Sequence, residues 1–220
     1  MHHSIKILLL YILIPTSCIL SQQEDQQSAL SLSIAGAIPF SSPPIYRFEQ
    51  LAISVKIPPG LYGSIGLVYG PITFRIINPT KVSLSTELSF CNMKSEDPNY
   101  SNFHSQMKLQ KINAMVWTKV FIPASFCPFV RAGIGITKLK FQETYGISFL
   151  ENVSVNELTV VLGLGGGVDL SISNQFVLSI FGDALFTPRN IPISHNDGTS
   201  WGAWNFGATP LLGLQATVIL

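Results

Sequence analysis

The sequence predicts an all-β fold: a closed antiparallel up-and-down transmembrane β-barrel of about eight strands. The first observation is composition, because 47% of the 220 residues are hydrophobic and only 11% are charged, where a soluble domain has about 25% charged residues. The second is that no internal run reaches the roughly 18 apolar residues of a membrane-spanning helix. The third is alternation, since long segments alternate apolar residues with small or polar ones, as strands facing lipid on one side do.

The clearest strands lie in the C-terminal part. In residues 212–220 every even position is apolar, and the odd positions are small or polar apart from Ile219. Residues 158–172 repeat this pattern, and the segment is long enough for a tilted membrane crossing. After residues 173–175, which predict a short turn, residues 176–186 continue the alternation. These segments predict the last three strands of the barrel.

Earlier segments alternate less regularly. We assign the remaining strands to residues 29–38, 61–77, 82–90, 107–121 and 129–141. Pro71 predicts a bulge within its strand, because proline cannot donate to the hydrogen-bond ladder. Residues 49–57 also have a strand pattern. We interpret them as part of the first outer hairpin or as a loop extension, because single-chain bacterial barrels favour an even strand number.

The predicted connections alternate between short and long. Residues 78–81, 123–125 and 173–175 are short, whereas residues 92–105, 142–156 and 187–205 are long and polar. Short periplasmic turns and longer outer loops are typical of barrels in the bacterial outer membrane. The alternation therefore predicts the side on which each connection lies.

The N-terminus predicts export. Lys6 precedes an apolar stretch at 7–14, and Pro15 and three small residues follow it. This pattern is typical of a secretory signal peptide, which we assign to residues 1–21, leaving residues 22–220 as the barrel domain. An uncleaved anchor and a lipoprotein modified at Cys18 are the alternatives, and a lipobox would have Leu rather than Pro15 three residues before the cysteine.

Two stretches carry a family resemblance. Residues 128–135 read Pro-Phe-Val-Arg-Ala-Gly-Ile-Gly, and residues 163–170 read Gly-Leu-Gly-Gly-Gly-Val-Asp-Leu. Both resemble strands of the small eight-stranded outer-membrane β-barrel family, the OmpA/OmpX-like barrels. The resemblance extends over about residues 28–220 and implies a location in the bacterial outer membrane. The chain departs from the family at Leu220, where those barrels usually end in Phe or another aromatic residue.

The strand phases point a set of charged side chains into the barrel. They are Arg75, Glu87, Lys111, Lys119, Arg131, Asp169 and Asp183. The interior of an eight-stranded barrel is just wide enough for side chains to fill it, and buried charges must pair because an isolated buried ion is costly. We therefore predict a lumen charge network that closes the barrel. A narrow ion path is the alternative.

Four aromatic residues predict an interfacial girdle at the membrane surface. They are Trp117, Trp201, Trp204 and Phe206. The glycines of 163–167 predict close backbone approach within a strand, since no Lys-Ser/Thr follows them as a phosphate-binding loop requires.

Histidine and cysteine do not predict a reactive site. Residues 104–105 and 194–195 are adjacent His and Ser, and adjacent side chains of an extended chain point to opposite faces. Cys91 and Cys127 fall at opposite ends of the predicted barrel, which predicts two free thiols, because a disulfide needs Cα atoms within about 7 Å.

These features favour a structural or surface-interaction role of the adhesion type, exerted through the outer loops, and not an enzyme. No motif indicates a metal or cofactor, and a net charge of +1 without a basic cluster gives no support for nucleic acid as a partner, so we expect none. The expected partners are outer-membrane lipid and host or environmental surface ligands. The alternatives are a narrow pore or transporter of small solutes and a soluble lipocalin-like binding barrel, whose apolar residues would face inward.

Overall fold

The computed structural model describes most of the chain after residue 28. The described ranges are 29–40, 45–48, 51–54, 60–75, 79–96, 105–122, 127–145, 153–188, 190–194, 200–205 and 207–220. The predicted signal peptide at 1–21 lies outside them and stays a prediction. Within these ranges, no helix has the length and hydropathy needed to cross a membrane.

Eight strands form a closed barrel. In chain order they are β1 (Leu30–Pro39), β4 (Leu61–Arg75), β5 (Pro79–Glu96), β6 (Ser105–Phe121), β7 (Cys127–Tyr145), β8 (Val153–Ser173), β9 (Phe176–Phe186) and β12 (Ala208–Ile219). Each strand pairs antiparallel with the next, and β1 closes the barrel by pairing with both β4 and β12. The predicted fold class and strand number are confirmed.

Four short strands form a second antiparallel sheet. They are β2 (Ile45–Phe48), β3 (Leu51–Ser54), β10 (Asn190–Ser194) and β11 (Ser200–Asn205), in the order β10-β11-β2-β3. They belong to the connections β1–β4 and β9–β12. The strand pattern at 49–57 is therefore not a ninth crossing, and the loop-extension interpretation holds.

Two local features follow from the sequence. The β4–β5 register shifts between Tyr69 and Ile72, which confirms the bulge predicted at Pro71. Residues 174–175 form the tight turn between β8 and β9, where the backbone amide of Gln175 donates to Ser173 Oγ at 3.3 Å.

The two faces of the barrel differ in the predicted sense. The side chains of Ile134, Leu164 and Leu214 are 60%, 57% and 52% exposed on the outer face. Side chains at the intervening positions face the lumen, such as Ser89 and Thr137, which are buried. A closed barrel leaves no unpaired strand edge and an apolar outside suits a lipid bilayer, so the lipocalin-like alternative, which requires a polar outer face, is wrong.

Two of the three predicted long loops are shorter than predicted, and the third contains short strands. β5 continues to Glu96, β7 continues to Tyr145, and β8 begins at Val153, so much of 92–105 and 142–156 is strand. The predicted loop 187–205 contains β10 and β11. The sequence pattern ends first because outer strand ends that leave the lipid no longer alternate in hydrophobicity, although the backbone ladder continues.

Candidate functional site

Arg131 lies at the centre of the lumen charge network. Its Nε donates to Asp183 Oδ1 at 2.9 Å, and its Nη2 donates to Asp183 Oδ2. The guanidinium carbon lies 4.6 Å from the ring centroids of both Trp117 and Phe181. Bidentate pairing fixes both the position and the plane of the guanidinium, and the aromatic faces add cation–π attraction.

A second carboxylate approaches the same guanidinium from β5. Glu87 Oε2 lies 3.9 Å from Arg131 Nη1, and the hydroxyl of Tyr62 on β4 donates to Glu87 Oε1. Both Tyr62 and Glu87 are buried. The network therefore reaches from β4 to β9, and each buried carboxylate in it has a hydrogen-bond donor.

A separate ion pair lies nearer the periplasmic end. Lys119 Nζ donates to Asp169 Oδ1 and Oδ2 at 2.8 and 2.6 Å, and Ser179 Oγ donates to Asp169 Oδ1 at 2.7 Å. The ammonium also lies 3.8 Å from the ring centroid of Phe129. Lys119 faces Arg131 in the β6–β7 register, so each of these neighbouring cations has its own carboxylate.

Lys111 is placed differently from the other two cations. It is 2% exposed, and its Nζ donates to the Thr209 hydroxyl on β12 at 2.9 Å. Two residues along β6, Asn113 Nδ2 donates to Ser89 Oγ at 2.9 Å. Within the described side chains, Lys111 has no carboxylate within ion-pair distance, and its hydrogen-bond acceptor is the uncharged hydroxyl of Thr209.

The predicted interfacial position of Trp117 is wrong. It is not an interfacial aromatic, because its side chain is 0% exposed inside the barrel. It shares the phase of Lys119 on β6, and a Cβ added at Gly133 or Gly163 would lie within 2.7 Å of its ring atoms. The ring thus occupies the space that two glycines of the neighbouring strands leave open.

The other predicted site residues are placed only in part. Trp201 and Trp204 lie on β11 in the small sheet, within the predicted long connection 187–205. Their side chains, and the whole of Phe206, lie outside the part of the structure that is described, so their interfacial role stays a prediction. Arg75 ends β4 opposite Pro79, and its side chain also lies outside that part.

Three uncharged lumen residues were not included in the predicted charge network. Tyr62, Ser179 and Thr209 each make a hydrogen bond to a charged group of the network. Tyr62 alternates with the outward-facing Leu61 and Ile65, so strand phase alone would have found it. The uncharged hydrogen-bond partners were not predicted because the lumen network was assembled from charged residues only.

Reactive groups are few in the described region. Cys91 and Cys127 are not joined in a disulfide, as predicted. Among the described side chains, no three His, Cys, Asp or Glu residues are arranged to hold a metal ion. Residues 104 and 195, the histidines of the two His/Ser pairs, lie outside the described ranges.

No protein-family model and no curated protein matches the sequence, but solved structures match the fold. A major outer membrane protein from Thermus thermophilus has 11% identity and a TM-score of 0.53, with 87% of this chain and all of that chain covered. Neisserial surface protein A has 11% identity and a TM-score of 0.49, with 89% and 100% covered. Ail of Yersinia pestis, in complex with the heparin analogue sucrose octasulfate, has 9% identity and a TM-score of 0.48, with 87% and 99% covered.

The likeness to the Thermus protein establishes the fold. This chain is an eight-stranded barrel of the kind found in the bacterial outer membrane, as its resemblance to the small outer-membrane barrels implied. Its apolar outer face agrees with that location. One fold of this kind hosts unrelated functions, so a function has to be argued from the residues.

Proposed function

We propose that the protein is a non-conducting outer-membrane barrel that presents its outer segments to molecules outside the cell, in an adhesion-type role. The observation that carries the proposal is the filled lumen. Arg131 is bonded to Asp183 and lies between the rings of Trp117 and Phe181. Because these side chains occupy the interior of a narrow barrel, the surfaces available for function lie outside it.

The lengths of the strands support an outward-directed role. β6, β7 and β8 have 17, 19 and 21 residues, whereas a tilted crossing needs about 9–11. β1 and β9, with 10 and 11 residues, match that length. The strands on one side of the barrel are thus long enough to extend beyond the bilayer. The second sheet adds ordered backbone within two of the connections.

We propose a non-enzymatic protein that needs no cofactor. One fold can host enzymes and non-enzymes, so the residues have to distinguish between them. The described acidic lumen residues Glu87, Asp169 and Asp183 each contact a cation. Each of these carboxylates already has a cationic partner inside the barrel, which supports a structural role for it.

The test combines surface binding with a check of folding. Bacteria expressing the full chain are compared with bacteria expressing a variant in which residues 97–104 and 146–152 are replaced by Gly-Ser segments of equal length. Binding is measured on arrays of glycans and extracellular-matrix proteins. We expect the variant to lose binding while its gel mobility still shifts on heating, as that of a folded barrel does. Equal binding by both strains would contradict the proposal.

A further inference from the structure

A row of uncharged polar side chains crosses the lumen face of four neighbouring strands. Ser89, Asn113, Thr137 and Thr159, which we name the polar row, follow one another in register on β5, β6, β7 and β8. All four side chains are buried, and those of Asn113 and Thr137 are 0% exposed. Each of them therefore needs hydrogen-bond partners inside the barrel, because burying a polar group without a partner is costly.

Two atoms of the polar row have no such partner. Asn113 Nδ2 donates to Ser89 Oγ at 2.9 Å. Asn113 Oδ1 and Thr137 Oγ1 are buried and make no hydrogen bond within the part of the chain that the structure describes. The nitrogen and oxygen of an amide lie on opposite edges of one plane, so the oxygen of Asn113 is directed away from Ser89 and β5.

The two unpartnered atoms belong to a cross-strand pair. Asn113 and Thr137 lie directly opposite each other in the β6–β7 register, and the Cβ atoms of such a pair are about 5 Å apart. Polar groups that are more than about 3.5 Å apart are often joined by a water molecule. The amide oxygen only accepts hydrogen bonds, whereas a hydroxyl can donate and accept. One water molecule can therefore bond to both atoms.

The surroundings of the pair favour a neutral ligand over an ion. Lys111 is the next lumen-facing residue of β6 and is 2% exposed, and its ammonium group disfavours a cation bound nearby. An anion would meet the oxygen of Asn113, which has no proton to donate to it. Water suits both neighbours, because it donates to the amide oxygen and accepts from the threonine hydroxyl.

We propose that a structural water molecule is bound inside the barrel between Asn113 Oδ1 and Thr137 Oγ1. Buried waters typically make about three hydrogen bonds, and Thr159, beside Thr137 in the β7–β8 register, has a further hydroxyl in the same row. The water joins the hydrogen bonds of β5 and β6 to the side chains of β7. This site lies in the lumen and is independent of the proposed role of the outer segments.

A crystal structure of the wild-type protein, at a resolution that shows ordered water, tests the proposal directly. We expect a water molecule within about 3.2 Å of both Asn113 Oδ1 and Thr137 Oγ1. A direct hydrogen bond between these two atoms, or the absence of any density between them, would overturn the proposal. An ion at this position would overturn it too, and anomalous scattering from crystals soaked in bromide or rubidium identifies one.

The stability of Thr137→Val provides a second test in solution. Valine has nearly the shape of threonine but lacks the hydroxyl, and Thr118→Val on the exposed outward face of β6 is the matched control. Because the substitution removes the hydrogen bond to the water, we expect the equilibrium constant for unfolding in urea to rise about fivefold. The control should show no such rise.

A more stable Thr137→Val variant would contradict the proposal, since that is the result expected when a buried hydroxyl without any partner is removed. Heat-dependent gel mobility verifies that each variant folds. If Thr137→Val does not fold, the density between Asn113 and Thr137 in the wild-type crystal decides the question alone.

Discussion

Arg131 on β7 and Asp183 on β9 form a bidentate ion pair across β8, the strand between them. The residue of β8 in register with both is Gly165. A Cβ on Gly165 would lie 2.8 Å from Asp183 Cγ, closer than packing allows. The pair can therefore form because the strand between its partners has no side chain at that position.

The same relationship recurs along β8. Gly163 faces Gly133 on one side, and the Trp117 ring covers both glycines. Gly167 faces Phe129 and Phe181 on its two sides. The glycines at 163, 165 and 167 of β8 thus leave space in the lumen. Large side chains of β6, β7 and β9 occupy that space.

Removing Asp183 should strongly destabilise the barrel. In Asp183→Ala the buried guanidinium of Arg131 keeps only the distant Glu87, at 3.9 Å, and loss of one partner of a buried pair costs about 3–5 kcal/mol. Replacing both partners, as Arg131→Met with Asp183→Leu, should recover most of this loss because no unpaired charge remains. Equilibrium unfolding in urea measures both variants. A double variant as unstable as Asp183→Ala would show that the charge itself is not the cause.

Adding a side chain at a lumen-facing glycine of β8 should also destabilise the barrel. In Gly163→Ala the new methyl group meets Trp117 Cζ3 at 2.7 Å, and such overpacking costs about 1–3 kcal/mol. Gly36→Ala on the outer face is the matched control, because a Cβ there meets nothing within 4 Å. The free energy of unfolding of both variants is measured in the same detergent. Equal effects of the two substitutions would rule out steric contact with Trp117.

The two thiols should differ in reactivity. Cys91 is 1% exposed inside the barrel, and Cys127 is half-buried at the start of β7. Since a buried thiol is inert, maleimide should label the folded protein at Cys127 only, when it is produced from residue 22 onward and therefore lacks Cys18. Cys127→Ser should stay unlabelled until it is denatured, and Cys91→Ser should react as wild type does. Rapid labelling of folded Cys127→Ser would contradict the placement of Cys91.

A charge on the lipid-facing surface should be costly. Ile134 is 60% exposed in the middle of the outward apolar run of β7, and a lysine at mid-membrane depth costs about 2–4 kcal/mol in a barrel. Ile134→Leu keeps the volume and polarity and serves as the control. Unfolding in lipid vesicles is the measurement. An unchanged stability of Ile134→Lys would place this face out of contact with lipid.

The sequence predicted the strands best where one face of the strand contacts lipid and the other faces the lumen. The phase of β8 and β12 followed from strict alternation, and the phases of β8 and β9 placed Asp169 and Asp183 in the lumen. Trp117 was misplaced because tryptophan is common at membrane interfaces, although its phase matches that of Lys119. Which glycine accommodates which ring depends on register across three strands, and one strand pattern does not reveal it.

The small sheet was beyond prediction for a related reason. β11 pairs with β2, so Trp204 faces Tyr46 across more than half of the chain. Each of its strands has four to six residues, too few for a clear period. Such pairing is set by the closed barrel, which brings the two connections to the same end.

Single-channel recording in a planar lipid bilayer tests the closed, ion-paired lumen most directly. The wild-type protein is inserted from a preparation that shifts in gel mobility on heating, and a conducting porin is the positive control in the same bilayer. We predict no stable conductance steps, because Arg131, Asp183, Trp117 and Phe181 fill the interior. Reproducible steps from the wild-type protein would contradict this account and favour the narrow-pore alternative.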